Sequence, residues 1–164
     1  MITRKQIFVG LGVALTTLGI YLAIQFNRLK NFSLKVRNIK VNKLTQQEVN
    51  LEISFNFVNR SDLQIALAYQ VYDIYLNNKL VSTVKSDKTQ TITPKSSTPL
   101  KVNVSFKPIE VVSKIDFTKV LGTLLNFKRQ NIKVVTKLGV KYLGLTIPVT
   151  TTTEDTIENW SKPK

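Results

Sequence analysis

Residues 48–57 read Glu-Val-Asn-Leu-Glu-Ile-Ser-Phe-Asn-Phe. Val49, Leu51, Ile53, Phe55 and Phe57 alternate with Glu48, Asn50, Glu52, Ser54 and Asn56. Successive side chains of a strand point to opposite faces, so this period of two builds one apolar face and one wet face. A helix would smear the same residues around its circumference. The segment is therefore a half-buried strand, and a half-buried strand needs a second layer to cover it.

Upstream, Phe32, Leu34 and Val36 alternate with polar neighbours, and Ile39 and Val41 continue in the opposite phase. A phase switch inside one strand predicts a bulge near Arg37-Asn38. Downstream, Val58-Asn59-Arg60-Ser61-Asp62 reads as a turn, because Asn, Ser and Asp side chains bond nearby backbone groups. Leu63, Ile65 and Leu67 alternate again. The runs 71–76 and 79–84 flank Asn77-Asn78, a two-residue hairpin in which Asn tolerates positive φ. A short strand is expected around Ile92, closed by Pro94 and a Lys95-Ser96-Ser97 turn, and then Leu100, Val102, Val104 and Phe106 alternate up to Pro108.

Ile115, Val120, Leu121, Leu124 and Leu125 take helical spacing, with Asp116 as the expected N-cap of a helix ending near Asn126. Residues 132–136 and 141–151 are then expected to pair around a turn at Leu138-Gly139. In the last strand Leu143, Leu145, Ile147 and Val149 share a face, and Pro148, which cannot donate to a ladder, places it on an edge. Seven or eight short strands with one late helix predict a mainly β fold, an antiparallel fibronectin-like β-sandwich.

Before the sandwich, residues 7–26 form a run of 20 without a charge, bracketed by Arg4-Lys5 and by Arg28 and Lys30. A helix of that length covers about 30 Å, the hydrocarbon thickness of a bilayer. The run is too long for a signal-peptide core and no small-x-small cleavage site follows it, so an uncleaved single-pass transmembrane anchor is expected. Gly12, Thr16, Gly19 and Ala23 make a small-residue stripe suited to helix packing. The Lys/Arg count on the C-terminal flank favours a cytoplasmic domain. The chain then divides into an anchor with basic flanks (1–30), the sandwich (31–153) and a polar C-terminal tail (154–164).

The ordering from Leu34 to about Val149 resembles the type 2 late embryogenesis abundant family, whose module is also called the water-stress and hypersensitive-response domain. The resemblance rests on residues 51–61, Leu-Glu-Ile-Ser-Phe-Asn-Phe-Val-Asn-Arg-Ser, on Leu63-Gln-Ile, and on Val71-Tyr-Asp-Ile-Tyr-Leu-Asn-Asn-Lys-Leu-Val. Asn59 keeps the first position of the family's Asn-Pro-Asn-like turn, Arg60 stands where proline is usual, and Asn78 where glycine is usual. The resemblance implies a fibronectin-like sandwich, often membrane-anchored, with a stress-response role such as desiccation and no catalytic residues to carry over.

Composition excludes most enzyme chemistry. The chain has no cysteine and no histidine, hence no disulfide, thiol nucleophile or Ser-His-Asp triad. Glu48 and Glu52 share a strand face, but it is the wet outer face rather than a cleft. Glu154, Asp155 and Glu158 lack calcium-loop spacing. No catalytic residue, cofactor or metal is expected. Asn31, Asn59, Asn103 and Asn159 sit in Asn-x-Ser sequons.

The strongest functional signal is charge: 24 Lys+Arg against 10 Asp+Glu, a net +14, with Lys outnumbering Arg 19 to 5. Lysine is a flexible point charge, suited to a diffuse polyanion rather than to bidentate reading. Arg28, Lys30, Lys35, Arg37 and Lys40 follow the anchor, where a polybasic stretch meets anionic lipid headgroups. Specific nucleic-acid binding is not expected, because no recognition motif accompanies the charge. The function expected is a non-enzymatic, membrane-anchored binding or protective domain with protein partners yet to be found. The alternative is a structural component of a large assembly, such as a virion or an envelope-spanning complex.

Overall fold

The computed structural model describes residues 19–21, 23, 24, 27, 32–45, 47–108, 126–142 and 144–162. Eight strands follow in chain order: β1 (Ser33–Leu44), β2 (Val49–Val58), β3 (Ile65–Leu76), β4 (Lys79–Ser86), β5 (Gln90–Ile92), β6 (Ser97–Phe106), β7 (Asn131–Tyr142) and β8 (Leu145–Thr156). A 3-10 turn, Phe127–Arg129, precedes β7, and a short C-terminal helix, Ile157–Ser161, ends the fold. The strands form two antiparallel sheets, one ordered β1-β2-β6 and the other β4-β3-β7-β8, with β5 pairing β3 beside β4. The fold is mainly β, as the strand periodicity predicts.

β2 lies at the centre of the smaller sheet. Its inward residues, Val49, Leu51, Ile53, Phe55 and Phe57, are wholly buried. Each such side chain contributes about 1.5–3 kcal/mol of transfer free energy. Phe55 stacks across the core on Tyr72 of the facing sheet, with ring centroids 5.3 Å apart, and Phe32 stacks on Phe57 at 4.8 Å. Phe32, just ahead of β1, thus packs against the core.

The expected bulge is present. β1 shifts register against β2 between Val36 and Asn38, which turns Ile39 inward after Leu34 and Val36. The hairpin is also as expected, with Asn77 at φ 47° and Asn78 at φ 65°, the type I′ geometry that matches strand twist. Asparagine does more there than glycine would. Asn77 Oδ1 accepts from Asn131 N at 3.2 Å, and Lys133 Nζ donates to Asn78 Oδ1 at 3.0 Å, so the hairpin is tied to the start of β7.

The C-terminal third differs from the periodicity reading. β7 runs unbroken through Leu138-Gly139, and the reversal comes later, between the paired Tyr142 and Leu145, with Gly144 at φ 81°. Gly139 is required by a close approach instead of a turn. A Cβ there would sit 2.3 Å from Tyr69 Cε1, because the Tyr69 ring lies against the backbone of its cross-strand partner. β8 is an edge strand, as Pro148 implies, yet its shared face is only half-buried at Ile147 and Val149, and Leu145 is 69% exposed.

The segment read as a polar tail from residue 154 is structured: β8 continues to Thr156, and Ile157 and Trp160 are buried against the core. The helix predicted to end near Asn126 lies outside the described residues apart from its last position. Among the described residues no helix is long and apolar enough to cross a membrane. The span predicted over 7–26 falls mostly outside them, as do Gly12 and Thr16 of its stripe, while Gly19 and Ala23 lie in helical backbone.

Candidate functional site

The bulge in β1 decides where the basic residues face. Unbroken alternation from Lys35 and Arg37 would turn Lys40 into the core and Ile39 out to water. The extra residue reverses the phase, so Ile39 is 2% exposed and Lys35, Arg37 and Lys40 all stand exposed on the outer face of the β1-β2-β6 sheet. Arg28 and Lys30 lie outside the described residues.

That face carries two carboxylates close to the basic strand. Glu48 accepts from Lys43 at 2.6 Å, and Glu52 pairs with Lys101 of β6 at 3.3 Å. None of Lys35, Arg37 and Lys40 takes part in an ion pair among the described residues. Their neighbours on β2 are neutral or already engaged: Lys35 opposes Asn56, and Lys40 opposes Glu52. Polar side chains fill the rest, with Asn50 Nδ2 donating to Ser105 Oγ at 2.7 Å. The result is a polar surface with uncompensated positive charge along one edge strand.

The opposite outer face holds a feature absent from the sequence reading. Asp73 is 9% exposed and accepts from Thr83 Oγ1 at 2.8 Å and from Lys137 Nζ at 2.9 Å, across both neighbouring strands. The hydrogen bond from Lys137, with that from Thr83, holds its carboxyl below the usual carboxylate range, and Lys137 is shifted upward in return. Lys133 lies over the Tyr75 ring at 4.9 Å. The sign follows from Asp73. A carboxylate depressed in the folded state stabilises above its unfolded pKa of about 3.9, and that stabilisation is lost as pH falls through the folded value. Asp73→Asn is accordingly expected to shrink the loss of urea midpoint between pH 7 and pH 3. An unchanged acid limb would assign the sensitivity to other carboxylates.

The remaining sequence candidates are separated by their partners. Glu154 accepts from Asn131 Nδ2, Asp155 from Asn159 Nδ2 and the Thr156 amide, and Glu158 pairs with Lys162. Among the described residues no group of three His, Cys, Asp or Glu could hold a metal. Of the sequons, Asn103 and Asn159 are exposed and Asn59 is 1% exposed, which closes Asn59 to modification in the folded protein.

Comparison with known proteins fixes the fold. No family model and no curated protein sequence matches the chain. Solved structures do. A protein assigned to the late embryogenesis abundant class matches with a TM-score of 0.50 at 12% identity, over 93% of this chain and 86% of its own. The resemblance to that family is one of fold. A second neighbour, a protein from Arabidopsis thaliana, matches at 0.52 and 11% identity over 75% of this chain and 80% of its own. A protein from Archaeoglobus fulgidus matches at 0.50 and 16% identity, over 75% and 92%. At the two turns where Arg60 and Asn78 stand, Asn59 Oδ1 accepts from the Ser61 amide, and Asn77 and Asn78 take positive φ.

Proposed function

We propose that this water-stress-type sandwich is a non-enzymatic domain, tethered to a bilayer by residues 7–26, that meets anionic headgroups with the outer face of β1. The observation that supports the reading is the bulge, which keeps Lys35, Arg37 and Lys40 on one exposed face. Its geometry also sets a condition. At a rise of about 3.3 Å per residue, Lys35 and Lys40 stand roughly 16 Å apart along the strand. The screening length in physiological salt is about 8 Å, so an upright strand brings one cation into the headgroup field and a flat-lying strand brings three.

Each lysine or arginine held near an anionic surface contributes about 1 kcal/mol, so a flat β1 contributes about 3 kcal/mol, or roughly a hundredfold in partitioning. A chain starting at residue 28 retains every described core residue and is expected to be soluble with a full sheet signal. Its binding to phosphatidylserine vesicles at low salt should fall by about a hundredfold in the combined Lys35→Gln, Arg37→Gln, Lys40→Gln variant. Binding to neutral phosphatidylcholine vesicles should be absent in both. A drop of only about fivefold would mean an upright strand, and no drop would remove β1 from the contact. Protease digestion of native membranes before and after detergent assigns the side, and the basic flank favours the cytoplasmic one.

A further inference from the structure

Strand β3 changes partner along one edge. It pairs with β4 from Gln70 to Leu76 and with β5 from Ile65 to Leu67, while the chain loops out over residues 87–89. The gap opens a cleft of about 650 Å³ between this edge and strand β6 of the other sheet. Ligand sites fall within a few hundred to about a thousand cubic ångströms, so the size suits a small molecule.

The cleft is lined by apolar side chains, Val84, Leu100 and Val102 among them, and by one polar pair where a sandwich interior should be apolar. A register shift in β3 between Leu67 and Tyr69 turns Gln70 inward, in phase with Tyr72 and Ile74. Gln70 is 7% exposed and Tyr72 is 2% exposed, and Tyr72 Oη donates to Gln70 Oε1 at 2.8 Å. Burial pushes the Tyr72 phenol up to about 12, so it stays a neutral donor throughout the physiological range. This bond satisfies one end of the Gln70 amide. Its Nε2 meets no acceptor among the described residues, and Gln70 lines the cleft. The Nε2 is open to the cleft and its solvent, so a ligand oxygen can take the place of water as its acceptor.

The mouth has the opposite chemistry. Lys88 and Lys101 line it, with hydroxyl and amide groups from Ser86 and Asn103 between rim and floor. A fatty acyl chain would leave the Gln70 amide without an oxygen to bond, and a neutral sugar would leave the two ammonium groups unused. We propose that the cleft binds a small hydroxylated anion, a sugar acid or a sugar phosphate. The Gln70 amide donates to a ligand oxygen, and Lys88 and Lys101 receive the anionic group. Lys101 is shared with Glu52, so the site is partly self-masked.

The test is a titration of the full-length chain in lipid nanodiscs, following the Gln70 side-chain amide by ¹⁵N–¹H correlation. Galacturonate and glucose 6-phosphate are the probes, with glucose and inorganic phosphate as controls. A saturable shift with either probe and neither control is expected. Lys88→Ala, an exposed change that leaves the fold intact, should weaken it about fivefold. Glu52→Gln, which releases Lys101, should tighten it. An equal response to glucose would make the cleft a neutral-sugar site, and an equal response to phosphate would reduce it to surface charge. Either result, or no shift at all, overturns the proposal.

Discussion

Replacing Asn59 with alanine is expected to cost about 2–3 kcal/mol, a large fraction of the roughly 5–15 kcal/mol that holds a typical domain folded. The side chain is 1% exposed and makes four hydrogen bonds. Its Nδ2 donates to Leu63 O at 2.9 Å and to Thr93 O at 3.0 Å, and its Oδ1 accepts from the Ser61 amide at 3.0 Å and Ser61 Oγ at 2.7 Å. One asparagine thus joins the β2–β3 connection to the β5–β6 connection. Backbone bonds run in parallel, Asn59 N to Ser96 O and Lys95 N to Ser61 O, and Leu63 O and Thr93 O also accept from Ser61 Oγ and Ser96 Oγ, so the buried Ser61 amide is the group that loses its acceptor. Asn59→Asp sharpens the test, since it keeps the acceptor for Ser61 and sets a buried carboxylate against two carbonyl oxygens. It should be at least as damaging at pH 7 and recover as the pH is lowered, when the protonated acid can donate once. Urea denaturation of both variants at pH 7 and pH 4.5 decides the matter. A loss under about 1 kcal/mol for alanine would mean that the backbone bonds alone hold the two connections together.

The contrast between what local pattern reveals and what it hides follows the range of the interactions. β2, β6 and the Asn77-Asn78 hairpin are legible because each carries its own signal, an apolar face in phase or a residue pair suited to positive φ. The β1 bulge is legible for the same reason, as a break in phase. Leu138-Gly139 misleads because glycine reads locally as a turn, whereas its cause is the ring of Tyr69, some seventy positions away in sequence. The same register shift beside Tyr69 turns Gln70 into the core, so the cleft is hidden along with the misplaced turn. The basic stretch from Arg28 to Lys40 is visible as composition. Its presentation on one face depends on the sheet register, and the Asp73–Lys137 bond joins strands with no sequence proximity.

The end of the chain supplies the last and sharpest case. Ile157 and Trp160 are two apolar residues in a polar stretch, and nothing in their immediate neighbours marks them as core. In the fold they are 0% and 5% exposed, and the helix that carries them packs on β1, β8 and the 3-10 turn. The helix is fixed at its start by Thr156 Oγ1, which accepts from the Asn159 amide at 3.2 Å, and by Ile157 N donating to Gln130 O at 3.2 Å. Trp160→Ala is therefore expected to destabilise by about 3–5 kcal/mol, the range for emptying a buried aromatic site, and Trp160→Phe by clearly less. Removing residues 157–164 should cost at least as much, since Ile157 leaves too. A peripheral tail would give the reverse, with all three variants within about 0.5 kcal/mol of the parent in urea melts. The outcome also bears on the membrane reading. The helix braces the inner side of the strand whose outer side carries Lys35, Arg37 and Lys40. Trp160→Phe should therefore bind anionic vesicles as the parent does, whereas Trp160→Ala should lose binding only in step with its folded fraction. Vesicle binding that fails in a fully folded Trp160→Ala would shift the contact from β1 to the C-terminal helix itself.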